Sequence, residues 1–371
     1  MKIAHLTSVH PRFDTRIFFK MCKSSNKLGK VYLVCADGKG DKLIDNINII
    51  DVGKVYNRTL RFWISVNKIY KQALKLNADI YHLHDPELIR IGLKLIKNGK
   101  KVIFDSHEHV SDSIMTKNYI PKFLRVFISK IYNYYEQYSL KKINNLIGAT
   151  HYIVDSLKKI NINSIGIYNY PLLDISITEY KKISHQNNRI NYICYVGIIS
   201  KLRGIEELIK ALELTKNQVI LNLAGHIYPD SYERDLEKLP GWKHVNYLGF
   251  VKKDFLMSKF DNKLGIIPFL RAPNHIKAEP NKMFEYMLYK LPIACSNFNV
   301  WKKYIENNNY GKVFNPADPD SIARVIDYII DNPKESIKMG LNGHQAVIDK
   351  FNWNNEEKKL FSLYKNITKS K

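Results

Sequence analysis

The sequence has few of the features that mark secreted, metal-binding or membrane-spanning proteins. It contains only four cysteines, and they lie far apart in apolar stretches: Cys22, Cys35, Cys194 and Cys295. This spacing predicts reduced core residues of a cytoplasmic protein and not a disulfide framework or a metal site. No apolar run approaches the length that crosses a bilayer. Residues 1–6 are typical of a strand and not of a signal peptide.

The glycine-rich fingerprint of dinucleotide-binding proteins, G-x-G-x-x-G, is also missing. The predicted strand at residues 2–8 leads through a turn at residues 10–16 into a predicted helix at residues 17–28 and a strand at residues 31–35. This order predicts a right-handed β-α-β unit without dinucleotide binding. Ligands of such sheets gather at the carboxyl ends of strands, so the loop at residues 10–16 is a predicted wall of a site.

No metal site is predicted from the aspartates either. Asp318-Pro319-Asp320 resembles a metal-binding D-x-D. However, Asp320 or Ser321 stands where an N-cap belongs, ahead of an apolar helix predicted at residues 321–330.

Acidic residues are outnumbered by basic ones. The chain has 58 Lys and Arg against 35 Asp and Glu, which gives a formal net charge of +23. Such a charge predicts attraction to an anionic partner. Nucleic acid, an anionic membrane surface and phosphorylated substrates all fit, and charge alone does not choose among them.

The strand–helix rhythm begins again at residue 190, after a linker that starts near Tyr170. The length of 371 residues fits two domains. We therefore predict an α/β protein with two Rossmann-like domains, residues 1–170 and 171–350, and a binding site in the cleft between them. Residues 351–371 are predicted to form a helix that packs back on the first domain.

Two predicted strands of the first domain end in histidines and carboxylates. They run into His84-Asp85-Pro86-Glu87 and into Asp105-Ser106-His107-Glu108. Each cluster alone is explained by a buried His and a capping Asp, with Asp85 capping the helix that begins at Pro86. Their shared position at one sheet edge also fits a site, and both interpretations stay open. The residues predicted to line such a site are His10, His84, Asp85 and Glu108.

Between residues 114 and 142, aromatic and aliphatic residues alternate with Lys and Arg. Such a pattern is typical of an interfacial helix whose apolar face enters the headgroup region while its cations meet anionic lipid. A long domain helix with one buried face is the alternative. The two are compatible if only the basic edge touches lipid.

A polar site is predicted at a helix N-terminus in the second domain. Glu279-Pro280-Asn281-Lys282 opens a helical pattern that includes Glu285. Free backbone N–H groups there suit an anionic ligand with hydroxyls. The alternative makes Glu279 and Glu285 ordinary first-turn acids. Lys201 and Arg203 precede another predicted helix, where they either bind a diphosphate or are solvated loop cations.

Eight segments occur in the order of a known family. They are HPRFDTRIFFKMCKSS, YHLHDPEL, VIFDSHE, YNYP, YVGIISKLRGIEELIKAL, NYLGFV, PNKMFEYMLYKLPIACS and FNWNNEEKKLFSLY. Together they resemble bacterial retaining glycosyltransferases of the GT-B fold, of the kind that build surface polysaccharides from nucleotide sugars. The resemblance covers nearly the whole chain.

The resemblance implies a reaction. A hexosyl or N-acetylhexosaminyl group moves, with retention and without metal or cofactor, from a nucleotide-diphosphate sugar, with UDP favoured over GDP. The implied acceptor is a lipid-linked glycan of O-antigen, lipopolysaccharide or capsule, at the inner face of the cytoplasmic membrane.

The resemblance also implies roles for individual residues. Glu285 corresponds to the second glutamate of a Glu-x7-Glu element that binds the donor ribose. Arg203 matches a cation that neutralises the diphosphate leaving group. His107 matches a histidine beside the transferred sugar, and Phe250 and Val251 flank the nucleobase. Asp14 and Arg16 complete the predicted catalytic group with His107.

Two positions depart from the family pattern. Lys277 stands where the first glutamate belongs, so Glu279 or the backbone near Asn281 is predicted to hold the sugar instead. Ile198 stands where an arginine often follows glycine. Lys201 or Lys282 is therefore predicted to share the diphosphate with Arg203.

Other functions stay open. A nucleotide-sugar epimerase, or a phosphorylase, fits the same fold. A basic non-catalytic binding protein fits the charge, as does an inactive membrane scaffold. No nucleic-acid partner is predicted, because no recognition motif is present and the aromatics of residues 114–135 are mixed with aliphatics, unlike a stacking platform.

Overall fold

The computed structural model describes residues 1–117, 120–173, 190–251, 256–257 and 259–369, with the side chains of residues 58 and 59 excepted. Contacts divide the chain into two compact units. The first is Met1–Leu172 together with Trp353–Lys371, and the second is Leu173–Asn352. The boundary thus falls beside Tyr170, and the last helix belongs to the first unit.

The first unit is built on one mostly parallel sheet. Its strands are β1 (Lys2–Leu6), β2 (Lys30–Cys35), β3 (Lys42–Ile44), β4 (Ile47–Asp51), β5 (Ile80–Leu83), β6 (Lys101–Ser106), β7 (Asn145–Gly148) and β8 (Ile165–Gly166). The order across the sheet is β3-β4-β2-β1-β5-β6-β7-β8, and β3 alone among these described strands pairs antiparallel. The β3–β4 hairpin is not predicted from the sequence.

The helices of the first unit follow the strands in turn. They are a π-helical segment Ile17–Cys22 that continues as the short α1 (Lys23–Asn26), then α2 (Arg58–Leu76), α3 (Ile89–Lys97), α4 (Val110–Met115), α5 (Lys122–Leu140), α6 (His151–Lys158) and, at the end of the chain, α13 (Trp353–Lys369). The helix predicted at residues 17–28 is therefore π-helical over its first six residues and α-helical only over Lys23–Asn26.

The core of the first unit lies on both faces of its sheet. Parallel strands are covered on both sides, which explains their nearly continuous Ile, Val and Leu content. On one face, Trp353, Leu360 and Tyr364 of α13 pack against Ile3 and Ile80. Each fully buried side chain of this size contributes about 1.5–3 kcal/mol, so α13 is an integral part of this core.

The second unit repeats the architecture with a parallel sheet of order β11-β10-β9-β12-β13-β14. Its strands are β9 (Asn191–Val196), β10 (Val219–Ala224), β11 (Val245–Tyr247), β12 (Asn262–Ile267), β13 (Ile293–Ser296) and β14 (Gly311–Phe314). Its described helices are α7 (Ile205–Leu212), α8 (Tyr232–Glu237), α9 (Asn281–Leu288), α10 (Asn299–Ile305), α11 (Pro319–Asp331) and α12 (Pro333–Asp349).

Two predicted helix caps are wrong. Asp85 stands before the 3-10 turn Pro86–Leu88, but its side chain makes no capping bond. Its carboxylate instead accepts hydrogen bonds from the Thr7 hydroxyl and the Ser8 backbone N–H and forms an ion pair with His10. Asp318, and not Asp320 or Ser321, caps α11, because its carboxylate accepts the backbone N–H of Asp320.

The aromatic stretch at residues 114–142 gives two helices, α4 and α5. No helix among the described residues has both the length and the apolarity needed to cross a bilayer. The side of α5 that faces the unit is polar, with Ser129, Tyr132, Glu136 and Ser139 at helical spacing. The helix therefore has one buried face, as the domain-helix alternative predicted, but that face is largely polar.

Candidate active site

A histidine cluster, defined as His5, His82, His84 and His107, lies at the middle strands of the first unit. Parallel pairing sets His5 of β1 opposite His82 of β5. His84 follows β5, and its ring lies 4.6 Å from that of His82. The cluster is therefore a product of sheet register.

Asp105 of β6 is the hub of this cluster. Its carboxylate accepts two bonds from Arg16, from Nε at 2.9 Å and from Nη2 at 2.7 Å. His107 Nε2 lies 3.1 Å and His84 Nδ1 3.4 Å from its Oδ2. Burial alone raises the pKa of Asp105, but Arg16 and His107 hold it well below the ordinary value. Asp105 is thus an anion at neutral pH.

Burial keeps the inner histidines neutral. It lowers the pKa of His84 to about 4, although Asp105 opposes this shift. It also lowers the pKa of His5 and of His82 well below the ordinary value. At neutral pH each of these rings carries one N–H donor and one acceptor nitrogen.

A second ion pair lies beside the cluster. His10 Nδ1 is 2.7 Å from Asp85 Oδ1. Burial raises the pKa of Asp85, but His10 and the bonds from Ser8 and Thr7 lower it to about 2. The predicted turn at residues 10–16 is thereby tied to the end of β5.

A cavity of about 980 Å³ opens beside these groups. All four predicted acceptor-side residues, His10, His84, Asp85 and Glu108, line it, and so does His107. The opposite wall is apolar and includes Phe62 of α2 and, on α5, Ile128, Ile131 and Tyr135. The cavity can therefore take a ligand with a polar end at the histidines and an apolar part along α5.

Asp14 and Arg16, both predicted to be catalytic, have structural contacts. Asp14 Oδ1 accepts the backbone N–H groups of Arg16 and Ile17 at 2.8 and 2.9 Å and so caps the helix that follows. Arg16 is buried against Asp105. Neither lines the cavity described above, and a direct catalytic role for them stays a prediction.

In the second unit, Arg203 and Lys282 form a cation pair around one aromatic ring. The Arg203 guanidinium carbon lies 4.0 Å, and Lys282 Nζ 5.0 Å, from the centre of the Phe269 ring. Lys282 Nζ also lies 3.9 Å from the centre of the Tyr195 ring. Ring faces attract cations, but by only about 0.5–2 kcal/mol.

Neither cation forms a salt bridge with a carboxylate in the described part of the chain, although the charge of Glu285 partly offsets the lowered pKa of Lys282. Burial and the neighbouring charge of Arg203 lower the pKa of Lys282 well below its ordinary value. Burial lowers the pKa of Arg203 as well. Two neighbouring cations that form no salt bridge with a carboxylate are a suitable site for an anion.

Two glycines make this arrangement possible. A Cβ at Gly197, which follows β9, would lie 2.7 Å from Lys282 Nζ. Gly204 has φ +68°, and a Cβ there would lie 1.8 Å from the carbonyl oxygen of Pro268. Only glycine therefore lets the loop after β9 approach Lys282 and lets α7 begin directly after Arg203.

The start of helix α9 shows whether Glu279 and Glu285 are acids of its first turn. Pro280 is its N-cap residue, and no acid stands in its first turn. Glu279 precedes the helix and Glu285 lies in its second turn, so that interpretation is wrong for both. Tyr286 anchors α9 to the sheet, because its hydroxyl oxygen accepts the backbone N–H of Val196 at 3.0 Å.

The remaining predicted donor residues lie on loops and turns of the second unit. Phe250 is 73% exposed. Its ring stacks on His226 with centroids 5.1 Å apart, which leaves an open aromatic face. Val251 follows it and is partly buried, Asn281 is exposed at the start of α9, and Lys201 is exposed in a 3-10 turn.

Sequence reasoning gave no site role to the residues that support these sites, although Asp105 stands in one of the strand-end clusters. Asp105, His5 and His82 hold the first site, and Tyr195 and Phe269 hold the second. The spacing of His82 and His84 was a usable signal, since alternate residues of a strand share one face. Nothing in the sequence brings Phe269 to both Arg203 and Lys282.

Family models match both units. The model for "Glycosyl transferases group 1" matches residues 176–346. The model for "Glycosyltransferase Family 4" matches residues 21–168. The chain is a glycosyltransferase of the GT-B type.

Three individual proteins illustrate the similarity of this glycosyltransferase to known ones. An uncharacterized glycosyltransferase of Methanocaldococcus jannaschii is 27% identical over 216 residues, which is 56% of this chain and 53% of that one. The chain thus spans about half the length of this relative. The capsular polysaccharide biosynthesis glycosyltransferase CapM of Staphylococcus aureus is 22% identical over 99% of this chain and 98% of its own. The structure of Anabaena Alr3699/HepE in complex with UDP and glucose has a TM-score of 0.71 at 14% identity, covering 99% and 100% of the two chains.

Three groups of described side chains in the glycosyltransferase have metal-ligand geometry. They are His5 with His82 and His84, His84 with Asp105 and His107, and Cys35 with Asp37 and Asp51. In the second group, both carboxylate oxygens of Asp105 already accept bonds from Arg16. A guanidinium in that place repels a cation, so the geometry favours hydrogen bonding there.

Proposed function

We propose that the protein transfers a sugar from a nucleotide-diphosphate sugar to a lipid-linked glycan in surface-polysaccharide synthesis, with retention of configuration. The observation that carries the donor assignment is the cation pair on Phe269, in which neither cation forms a salt bridge with a described carboxylate. The similarity to CapM, a capsular polysaccharide biosynthesis glycosyltransferase, supports a role in polysaccharide synthesis. The complex of the Anabaena protein with UDP supports UDP as the nucleotide of the donor.

The proposed chemistry depends on charge at the leaving group. The bond from the anomeric carbon to the diphosphate breaks, and the acceptor oxygen bonds to that carbon. The hydroxyl proton of the acceptor passes to an oxygen of the departing diphosphate. Arg203 and Lys282 stabilise the diphosphate as its negative charge grows. Because these side chains supply the positive charge, the reaction is proposed to need no metal and no cofactor.

The rest of the donor is proposed to lie along the second unit. Glu285 accepts hydroxyl protons of the ribose, and Phe250 with Val251 flanks the base. Glu279 and the start of α9 at Asn281 hold the transferred hexosyl or N-acetylhexosaminyl group. The open ring face of Phe250 supports its part in this assignment.

A donor screen tests this function. UDP- and GDP-sugars are incubated with the protein and a lipid-linked glycan extract, with and without chelator, and the anomeric configuration of the product is read by NMR. Glu285→Gln is expected to abolish transfer while leaving the melting temperature unchanged, with Glu213→Gln as the exposed control. Full activity of Glu285→Gln would show that the donor site is misplaced. Conversion of the nucleotide sugar without acceptor would favour the epimerase alternative.

We further propose that the protein binds the anionic inner face of the cytoplasmic membrane through α5. Phe123, Phe127 and Tyr134 of this helix are 74%, 61% and 76% exposed. A surface helix usually turns its apolar side toward the core and its polar side toward solvent. In α5, polar residues lie on the inward side and apolar residues are exposed. The one acid of α5, Glu136, is buried, and Lys122 and Lys130 are exposed beside the aromatics. An apolar surface with this charge fits anionic lipid.

Vesicle flotation tests this partner. Binding to phosphatidylglycerol vesicles is expected, with much weaker binding to phosphatidylcholine alone and at high salt. Phe123→Ser with Phe127→Ser is expected to abolish it, whereas Leu341→Ser, an exposed leucine of the second unit, is not. A dimer in solution that the double substitution disrupts would assign the surface to a second copy of the chain.

A further inference from the structure

The position of protons in the histidine cluster follows from the charge on Asp105. A neutral imidazole has one N–H, and an anionic oxygen binds the N–H side. His107 Nε2 lies 3.1 Å from Asp105 Oδ2. In the neutral form of His107, the proton therefore lies on Nε2 and the lone pair on Nδ1.

His84 also donates a hydrogen bond toward Asp105, as His107 does. His84 Nδ1, 3.4 Å from Asp105, donates to it, so His84 Nε2 must accept. In this arrangement His84 Nε2 accepts from His5 Nδ1 at 3.0 Å. His5 Nε2 lies 3.0 Å from the oxygen of the Ser25 hydroxyl, which itself donates to the carbonyl oxygen of Met21 at 2.7 Å. The reverse direction would turn a lone pair of His84 toward the carboxylate. The charge on Asp105 thus favours an N–H on the side of the carboxylate in both His107 and His84.

Arg16 fixes the anion itself. Its two bonds to Asp105 hold the carboxylate plane, and its Nη2 also donates to the carbonyl oxygen of Ile167 at 2.8 Å. Both side chains are almost fully buried. A bidentate, buried pair of this kind is geometrically specific, so Asp105 has one orientation available.

His107 belongs to the cavity wall and has one ring nitrogen without a hydrogen bond to a described residue. The ring lines the 980 Å³ cavity, and its Nδ1 makes no hydrogen bond to any described residue. A lone pair in this position accepts a hydrogen bond from a hydroxyl.

We infer that Asp105, held by Arg16, is a positioning residue that keeps His107 in the Nε2–H tautomer, with Nδ1 presented as acceptor to a sugar hydroxyl in the cavity. The effect of this role on catalysis rests on the proposed sugar transfer. Its structural content, the tautomer of His107, does not depend on that reaction.

The test combines NMR of the histidine side chains with kinetics. In the wild-type protein, the ¹⁵N shifts of His107 are expected to show a protonated Nε2 and an unprotonated Nδ1. Asp105→Asn keeps the shape but removes the charge, and is expected to give a mixture of tautomers. It is also expected to lower kcat about 10- to 100-fold with KM changed less than about twofold, because the ring is mispositioned in the transition state.

Asp112→Asn is the matched control. Asp112 lies 3.1 Å from His109 Nδ1 in another His–Asp pair of the same unit, outside the cluster. It is expected to change neither the tautomer of His107 nor kcat. Arg16→Lys, which keeps the charge but loses the two-pronged contact, is expected to fall between Asp105→Asn and the wild type.

A protonated Nδ1 on wild-type His107 would overturn the inference even if Asp105→Asn fails to fold. An unchanged tautomer or an unchanged kcat in folded Asp105→Asn would overturn it as well. Absence of transfer with every nucleotide sugar, together with the expected tautomers, would contradict the proposed function alone.

Discussion

At the scale of single residues, the surroundings of Lys282 are unfavourable for the stability of the fold. Its ammonium lies near two aromatic rings and the like charge of Arg203, without an ion pair to a described residue. Desolvating a cation in this way destabilises the apo protein. Functional sites are where such arrangements are expected.

Replacing Lys282 with methionine should therefore separate stability from binding. We expect Lys282→Met to leave the melting temperature unchanged or raised, because a desolvated charge is removed. Affinity for UDP should fall about 10- to 100-fold, since a charge-assisted contact contributes about 1.5–3 kcal/mol. Thermal unfolding and titration calorimetry measure both effects.

The control for this substitution is Lys210→Met, which removes an exposed lysine paired with Glu206 on α7. Its UDP affinity should match that of the wild type. Equal affinity in Lys282→Met would show that Arg203 carries the diphosphate without it.

At the scale of elements, α5 is the helix whose sequence pattern and burial disagree. Glu136 is buried on its inward side and accepts a bond from the Tyr132 hydroxyl at 3.3 Å. Burial raises the pKa of Glu136 to about 7, against the smaller lowering effect of Tyr132. An acid in this state binds its proton more tightly in the folded protein than in the unfolded one.

The stability of the first unit should consequently depend on pH through this helix. Because the folded pKa is raised, the folded state holds more protons between pH about 4.5 and about 7, and stability falls as pH rises through this window. We expect Glu136→Gln to be more stable than the wild type at pH 8 by roughly 1–3 kcal/mol and to remove this part of the pH dependence. Denaturant unfolding between pH 5 and 8 measures it.

Glu213→Gln is the control here also, because Glu213 is exposed and should leave the pH dependence as in the wild type. A wild-type stability that rises steadily from pH 5 to 8, with Glu136→Gln following in parallel, would contradict the assignment to Glu136.

At the scale of the whole molecule, the two units have different chemistry. The first combines a buried imidazole cluster with an apolar cavity wall, and the second contains the cation pair. We expect a diphosphate to bind in the second unit, where the cation pair lies. Ligand that binds only the folded state stabilises what it binds, by about 2.7 kcal/mol at a concentration 100 times Kd.

Hydrogen exchange with UDP alone should localise this stabilisation. We expect slower exchange in the backbone of residues 197–205 and at the start of α9, where the cation pair is held. Phosphate at the same concentration serves as the control and should protect less, because it lacks the base and ribose. Absence of protection at both segments would contradict the donor site.

The fold was largely predictable because its information is local. Strand and helix periods, a glycine after each of several helices and the second β-α-β start at residue 190 predict two Rossmann-like units, and the structure has them. The candidate site was predictable only in part. His107, Arg203 and Lys282 stand at strand ends and helix starts, where parallel sheets bring ligands.

The sequence by itself determined which elements form and which polar residues stand at their ends, because propensity, caps and period act over a few residues. Only the tertiary structure decided that Asp105 is shared by Arg16 and two histidines, and that Phe269 lies between Arg203 and Lys282. It also decided that Asp85 binds His10 and that α5 turns its polar side inward. Such contacts join residues far apart in the chain, and competition among many partners selects them.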